Sequence, residues 1–272
     1  MRLLALPGEY ELQASFEGTG DLKPSSASMP FIIGKQDTVL TLGAQSAITP
    51  NNAATFFVAT LKDALGRPLS EKTVFVVVTG ANGTHVVPAI TDFAGRVPVS
   101  ELLLADGTPL PVGAYQVEAD FSGDIPRPPL ARLTTLEDAR YLPSTVSGSL
   151  IVKCPLSQGY WKNHVDLWPV SSLTLGTGTY NKAQLINIMN NTTTSDASVI
   201  LARQLIATLL NLANNSSPIP VSSTIADANR QLDGCTLPCK VNVRSGNGAA
   251  MVKNASFLET YNTGGLTPGC TP

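Results

Sequence analysis

The sequence predicts a chain of two unlike parts, an all-β sandwich region followed by a small, mainly α-helical region tied by disulfides. Three observations carry that expectation. Gly8, Tyr10, Phe16 and Gly18 recur as Gly113, Tyr115, Phe121 and Gly123, at one offset of 105 residues. The segments around them alternate apolar and polar residues, the period of a half-buried strand. All four cysteines, Cys154, Cys235, Cys239 and Cys270, follow the repeat, where the apolar period lengthens to that of a helix.

The repeat has two blocks. Leu6–Gly18 answers Leu110–Gly123, and after an insertion of about fourteen residues in the second copy, Leu22–Ser28 answers Leu142–Ser147 and Phe31-Ile32-Ile33 answers Leu150-Ile151-Val152. A period near 105 is the size of one sandwich domain and too long for a solenoid unit. Each block reads as a strand. Residues 1–36 are therefore expected to be the last two strands of an incomplete repeat.

Residues 37–152 supply a fuller set, with strands expected at 38–42, 53–61, 73–78, 85–87, 96–100, 114–121 and 145–152. Turn residues separate most of them, as in Asp63-Ala64-Leu65-Gly66-Arg67-Pro68, Thr79-Gly80-Ala81-Asn82-Gly83 and Asp106-Gly107-Thr108-Pro109. Seven short strands with regular turns make a sandwich. Its inward positions are expected to include Val74, Phe75, Val76, Val99, Tyr115, Val117 and Phe121. Phe75 and Val76 point opposite ways, so only one is expected to be fully buried unless a neighbour covers the other.

Lys62-Asp63-Ala64-Leu65-Gly66-Arg67-Pro68-Leu69, Thr73-Val74-Phe75, Thr91–Val97 and Gly113-Ala114-Tyr115 together resemble the bacterial immunoglobulin-like repeats of adhesins and invasin-type surface proteins. The resemblance covers residues 1–152. It implies an immunoglobulin-like sandwich, a tyrosine corner at Tyr115, and a spacer or display role.

In residues 153–272, Ser195-Asp196 can cap a helix through Asn211, whose Val199, Ala202, Leu205, Ile206, Leu209, Leu210 and Leu212 form a broad apolar stripe. Shorter helices are expected at 182–189, 223–232 and 249–261, the last stopped by Gly264-Gly265. An even cysteine count in a surface-type protein points to disulfides and an oxidising compartment. Three pairings are possible. The favoured one joins Cys154 to Cys270, stapling the ends, and leaves Cys235–Cys239 as a local loop. A bridge closing more than a hundred residues contributes ~4–5 kcal/mol in the chain-entropy model. The rival arrangement is a zinc site with His164, but zinc sites usually show two close Cys/His pairs and only Cys235/Cys239 is close.

Ser157-Gln158-Gly159-Tyr160-Trp161-Lys162-Asn163-His164, with Trp168-Pro169, Ser172–Gly176 and Tyr261-Asn262, resembles a Gln-Gly-Tyr-Trp-Lys-Asn-His signature domain of secreted bacterial proteins, a family with no established activity. Tyr160, Trp161, His164 and Trp168 form the candidate ligand-binding cluster. As a surface they would be a sugar or peptide platform; as interior residues they would be the core of a small domain.

Composition narrows the function classes. Only 14% of residues are charged and the net charge is −2, so nothing points to nucleic acid. No segment has the ~20 apolar residues of a membrane helix. The apolar start at Met1–Leu6 is cut short by Pro7-Gly8-Glu9, so an export signal is expected outside this sequence. The two histidines, His85 and His164, lie in different regions, and no hydrolase, phosphate-loop or dinucleotide motif is present.

The expected protein is therefore an extracellular structural or display protein of a bacterial surface, with no catalytic residues, cofactor or metal. Its partners are other copies of itself or cell-surface proteins, with glycan as a further candidate. Tyr10, Leu12, Ala14 and Phe16 form an apolar stripe through which strand addition would build a fibre. The alternatives are an adhesin whose C-terminal module binds glycan or protein, and, least supported, a hydrolase using some of Asp166, Asp196, Asp227, Asp233 and Glu259.

Overall fold

The computed structural model describes residues 6–43, 47–48, 54–55, 57–81, 83–99, 110–123 and 140–270. Strands β1 (Gly8–Phe16) and β2 (Ser25–Ile33) form an antiparallel hairpin. Then follow β3 (Thr38–Leu42), β4 (Ala47–Ile48), β5 (Ala54–Thr55), β6 (Phe57–Asp63), β7 (Thr73–Gly80), β8 (Gly83–Ile90), β9 (Arg96–Val99), β10 (Gly113–Phe121) and β11 (Ser144–Val152). They make a four-stranded sheet ordered β11-β10-β7-β8, a three-stranded sheet ordered β3-β6-β9 and a small β4-β5 pair. All the ladders are antiparallel. The result is a sheet-rich fold of several small antiparallel sheets.

The two larger sheets share one buried apolar cluster. Leu40, Leu61 and Val97 of one meet Val74, Val76, Val78, Tyr115, Val117, Phe121 and Leu150 of the other. Alternation puts Tyr115, Val117 and Phe121 on one face of β10. Phe75 is buried as well as Val76. It pairs with Asp120, itself buried, whose carboxylate accepts bonds from Ser122 Oγ at 2.9 Å and Thr145 Oγ1 at 3.1 Å. Both residues are thus buried, the case in which the second face is covered as well. The side chain of Val99 lies outside the described residues. Strand β8 runs well beyond the expected 85–87 because its pattern is exposed on one face and half-buried on the other, a weak signal in sequence.

Two turns on this half are built alike. Asp63 Oδ1 accepts the N–H groups of Leu65 and Arg67, and Asp92 Oδ1 accepts those of Ala94 and Arg96. Gly66 (φ 76°) and Gly95 (φ 71°) supply the left-handed residue each loop needs. Burial pushes the Asp63 carboxyl up, but bonds from the backbone and side chain of Arg67 and the backbone of Leu65 hold it below its ordinary range.

The rest is mainly helical: α1 (Gln158–Asn163), α2 (Lys182–Asn190), α3 (Ala197–Ala213), α4 (Ser222–Leu232) and α5 (Gly246–Asn262). A hairpin of β12 (Ser172–Leu175) and β13 (Gly178–Asn181) turns at Gly176, where a Cβ would meet Leu232 O at 2.7 Å. Helix α3 is buried on nearly every side and forms the centre of a second apolar cluster. Four of these helices begin on side chains that accept the first free N–H groups: Ser157, Asn181 in a capping box with Gln184, Asp196, and Ser245.

Cys154 is bonded to Cys270 and Cys235 to Cys239, so no thiolate is left for zinc. The two regions touch through Lys153 N–H to Asn215 O at 2.9 Å and Val112 N–H to Pro268 O at 3.2 Å. Among the described residues, no helix is long and apolar enough to cross a membrane.

Candidate functional site

The signature segment folds because Ser157 Oγ accepts the Tyr160 N–H at 3.1 Å and starts α1. One turn of helix then sends Trp161 inward and Tyr160 sideways. Trp161 is 1% exposed, and its Nε1–H donates to Asn211 Oδ1 at 2.8 Å. Trp168 is also buried, its Nε1–H donating to the Trp161 carbonyl at 2.8 Å. Tyr160 is half-buried and stacks on exposed His164, ring centroids 4.2 Å apart. His164 Nδ1–H donates to the Tyr160 carbonyl at 2.9 Å. The four candidate ligand-binding residues are therefore neighbours, but the two indoles face the core and only Tyr160 and His164 reach the surface.

Asn211 is the hub of this arrangement and no sequence signal singled it out. It is fully buried on α3, and all its hydrogen-bonding capacity is used. Oδ1 accepts Leu156 N–H and Trp161 Nε1–H, while Nδ2 donates to Leu156 O and Asn262 Oδ1. Asn262 in turn accepts Thr208 Oγ1–H and donates to Gln204. The early Trp161 and the late Asn262 of the signature pattern are thus joined through one amide.

The chain matches no protein-family model, no curated protein and no solved structure.

The self-assembly stripe lies on the β1–β2 hairpin. Leu12 is 48% exposed and Phe16 43%, Ala14 is exposed, and Tyr10 is half-buried against Phe31. Leu12 pairs with Met29, itself exposed, so the apolar face is open across both strands.

A third feature lies at the start of α3. Asp196 is buried, and its carboxylate accepts Ser198 N–H, Ser198 Oγ–H, Val241 N–H and Lys240 N–H, all at 2.7–3.0 Å. Burial works to raise this carboxyl, but those four bonds, led by Ser198, hold it below its ordinary range. Ala197 N–H donates to Val241 O and Cys239 N–H to Ser198 Oγ, so the disulfide loop is fastened to the helix start. Between them opens a cleft of about 690 Å³. Sequence reading found the cap at Asp196. Its bonds across more than forty residues had no local signature.

Proposed function

We propose that this chain is a structural, display-type segment of an extracellular bacterial surface protein. In this reading residues 1–36 are the last two strands of one immunoglobulin-like repeat. Residues 37–152 form a complete immunoglobulin-like sandwich, and residues 153–272 are a disulfide-tied module of the Gln-Gly-Tyr-Trp-Lys-Asn-His type. The reading assigns no catalysis.

The observation that carries it is the likeness of two hairpins. β1–β2 pairs from Gly8↔Ile33 to Phe16↔Ser25, and β10–β11 pairs from Gly113↔Val152 to Phe121↔Ser144, the same ladder. Tyr10 Oη–H donates to Leu6 O at 2.6 Å and Tyr115 Oη–H to Pro111 O at 2.7 Å. Gly18 and Gly123 both have positive φ, and a Cβ at either would strike a carbonyl, of Leu22 at 2.7 Å or Tyr141 at 2.6 Å. That match sets Leu22 opposite Tyr141 rather than Leu142 and keeps Pro24 with Pro143. Tandem copies of one closing hairpin support a repeat array. Two disulfides support an oxidising compartment.

The repeat reading is tested by writing β1 into β10 at every differing position except the bonded Asp120, as Ala114→Glu, Gln116→Glu, Val117→Leu and Glu118→Gln. The quadruple variant is expected to fold cooperatively, losing no more than about 3 kcal/mol, the usual cost of a slightly overfilled core. Failure to fold would overturn the equivalence. Antibody against residues 153–272 should label intact cells that make the protein. Labelling only after permeabilisation would remove the display role.

The bare hairpin face favours one extension, assembly into a fibre by strand addition from a second copy. Sedimentation and negative-stain microscopy of the full chain should then show oligomers that the Leu12→Asp/Met29→Asp variant lacks. A monomer in both samples would sink the fibre while leaving the repeat reading intact.

A further inference from the structure

The cleft between the start of α3 and the disulfide loop belongs to neither hairpin nor signature cluster. Its size falls in the range of small-ligand sites. Its neutral polar lining is Asn191, Thr193, Thr194, Ser195 and Asn242, a set of hydroxyls and amides able to donate and accept. Two cations, Lys240 and Arg244, line it from the segment between Cys239 and α5. Among the described residues neither makes an ion pair. The single acid in the lining, Asp196, has its carboxylate occupied by four donors from Ser198, Lys240 and Val241. The cleft therefore offers two uncommitted positive charges and no uncommitted negative one.

The backbone of this segment is held in place before any ligand arrives. Lys240 sits at φ 58°, a left-handed backbone uncommon for a residue with a Cβ, and its N–H is held by Asp196 Oδ2 at 2.9 Å. Cys235–Cys239 closes the loop behind it. The Arg244 backbone is positioned by its N–H to Asn242 Oδ1 at 2.8 Å, next to the Ser245 cap of α5. A preformed wall spends less of the binding free energy on ordering.

The chemistry of the lining selects among anions. No aromatic ring lines the cleft, so a neutral sugar would lack its stacking face. Val199, Pro238 and Val243 are its apolar residues, too few for the anchor pockets a peptide uses. Hydroxyls and amides beside two cations fit a ligand that is both polyhydroxylated and carboxylated. We propose that this cleft binds an acidic saccharide through its uronate carboxylates, with Lys240 and Arg244 as the carboxylate contacts and the Thr193–Ser195 edge as the hydroxyl contact.

The proposal stands apart from the repeat reading and is tested on the full chain by calorimetric and NMR titration. The probes are a galacturonate tetrasaccharide, its methyl-esterified form and hexaglutamate. The expected result is saturable binding of the galacturonate with amide shifts confined to residues 191–199 and 238–244. Methyl esterification, Lys240→Ala and Arg244→Ala should each weaken it about tenfold, the effect of losing roughly 1.4 kcal/mol. Both side chains are exposed, so the variants should keep the wild-type spectrum elsewhere. Absence of saturation, indifference to both substitutions, or hexaglutamate binding as tightly as the saccharide would overturn the assignment.

Discussion

Trp161 and Asn211 are joined across 50 residues by one buried hydrogen bond, indole Nε1–H to amide Oδ1 at 2.8 Å. The bond fixes α1 against α3 and makes the signature segment part of the core. Replacing Asn211 with Leu would strand the Trp161 N–H and both polar backbone atoms of Leu156. A cost on the order of 3 kcal/mol or more is expected, since each buried group left unpaired costs about 1–3 kcal/mol. Trp161→Phe should cost less at the hydrogen-bond level, because Asn211 keeps Leu156 and Asn262, although it leaves a cavity. Urea unfolding measures both losses, and a loss under about 1 kcal/mol for Asn211→Leu would contradict the hub role.

Leu12 and Val117 hold the same place in the two like hairpins, yet Leu12 is 48% exposed and Val117 2%. An aspartate should therefore be nearly neutral at the first, within about 0.5 kcal/mol, and exceed about 4 kcal/mol at the second, where an unpaired charge is buried. Thermal unfolding of the monomeric protein separates the two cases. Equal losses would mean that the first hairpin is covered.

The two disulfides close loops of very different length, with separations of 116 and 4 residues. Chain entropy gives about 5 kcal/mol for the first and about 2 kcal/mol for the second. Cys154→Ser/Cys270→Ser should therefore lower the stability of the helical half more than Cys235→Ser/Cys239→Ser does. The reverse order in denaturant titrations would show that the short bridge acts through the folded loop rather than the unfolded chain.

Asp196 makes part of the stability depend on pH. Its folded carboxyl lies below its ordinary value of 3.8, so in acid the unfolded chain binds the proton more readily than the folded one. The contribution is present above that ordinary value and is lost as pH falls below it toward the folded-state value. Stability measured at neutral pH and through the acid range should drop, and Asp196→Asn should start lower and fall less. An unchanged slope in the Asn variant would remove Asp196 as the cause.

Much of the β half was legible because its signals are local. Alternation in Tyr115–Phe121, the Asp63 and Asp92 loops and the recurrent Gly-x-Tyr each reflect contacts within a few residues or across one ladder. The helices at α2 to α5 were legible for the same reason, through caps and apolar stripes. The β12–β13 hairpin was not, since Gly176-Thr177-Gly178 signals only a turn and the strands either side are four residues long. Nor could composition decide the aromatic cluster. Whether an indole is a platform or a core residue depends on a partner such as Asn211, and that partner is set by tertiary packing. The cleft was hidden more deeply still, because Asp196 and Lys240 meet only after the chain has folded.

The Cys154–Cys270 bridge gives the molecule a mechanical property as well as a thermodynamic one. It joins the residue at which the chain leaves β11 and Lys153 to one almost at the end of the helical half. A tensile load applied between the β half and residue 271 would pass through sulfur, along a path of two side chains. The 115 residues between the cysteines would hang from that path as an unloaded loop. The helices, the Asn211 hub and the cleft would then keep their shape under shear that stretches the sheets beside them.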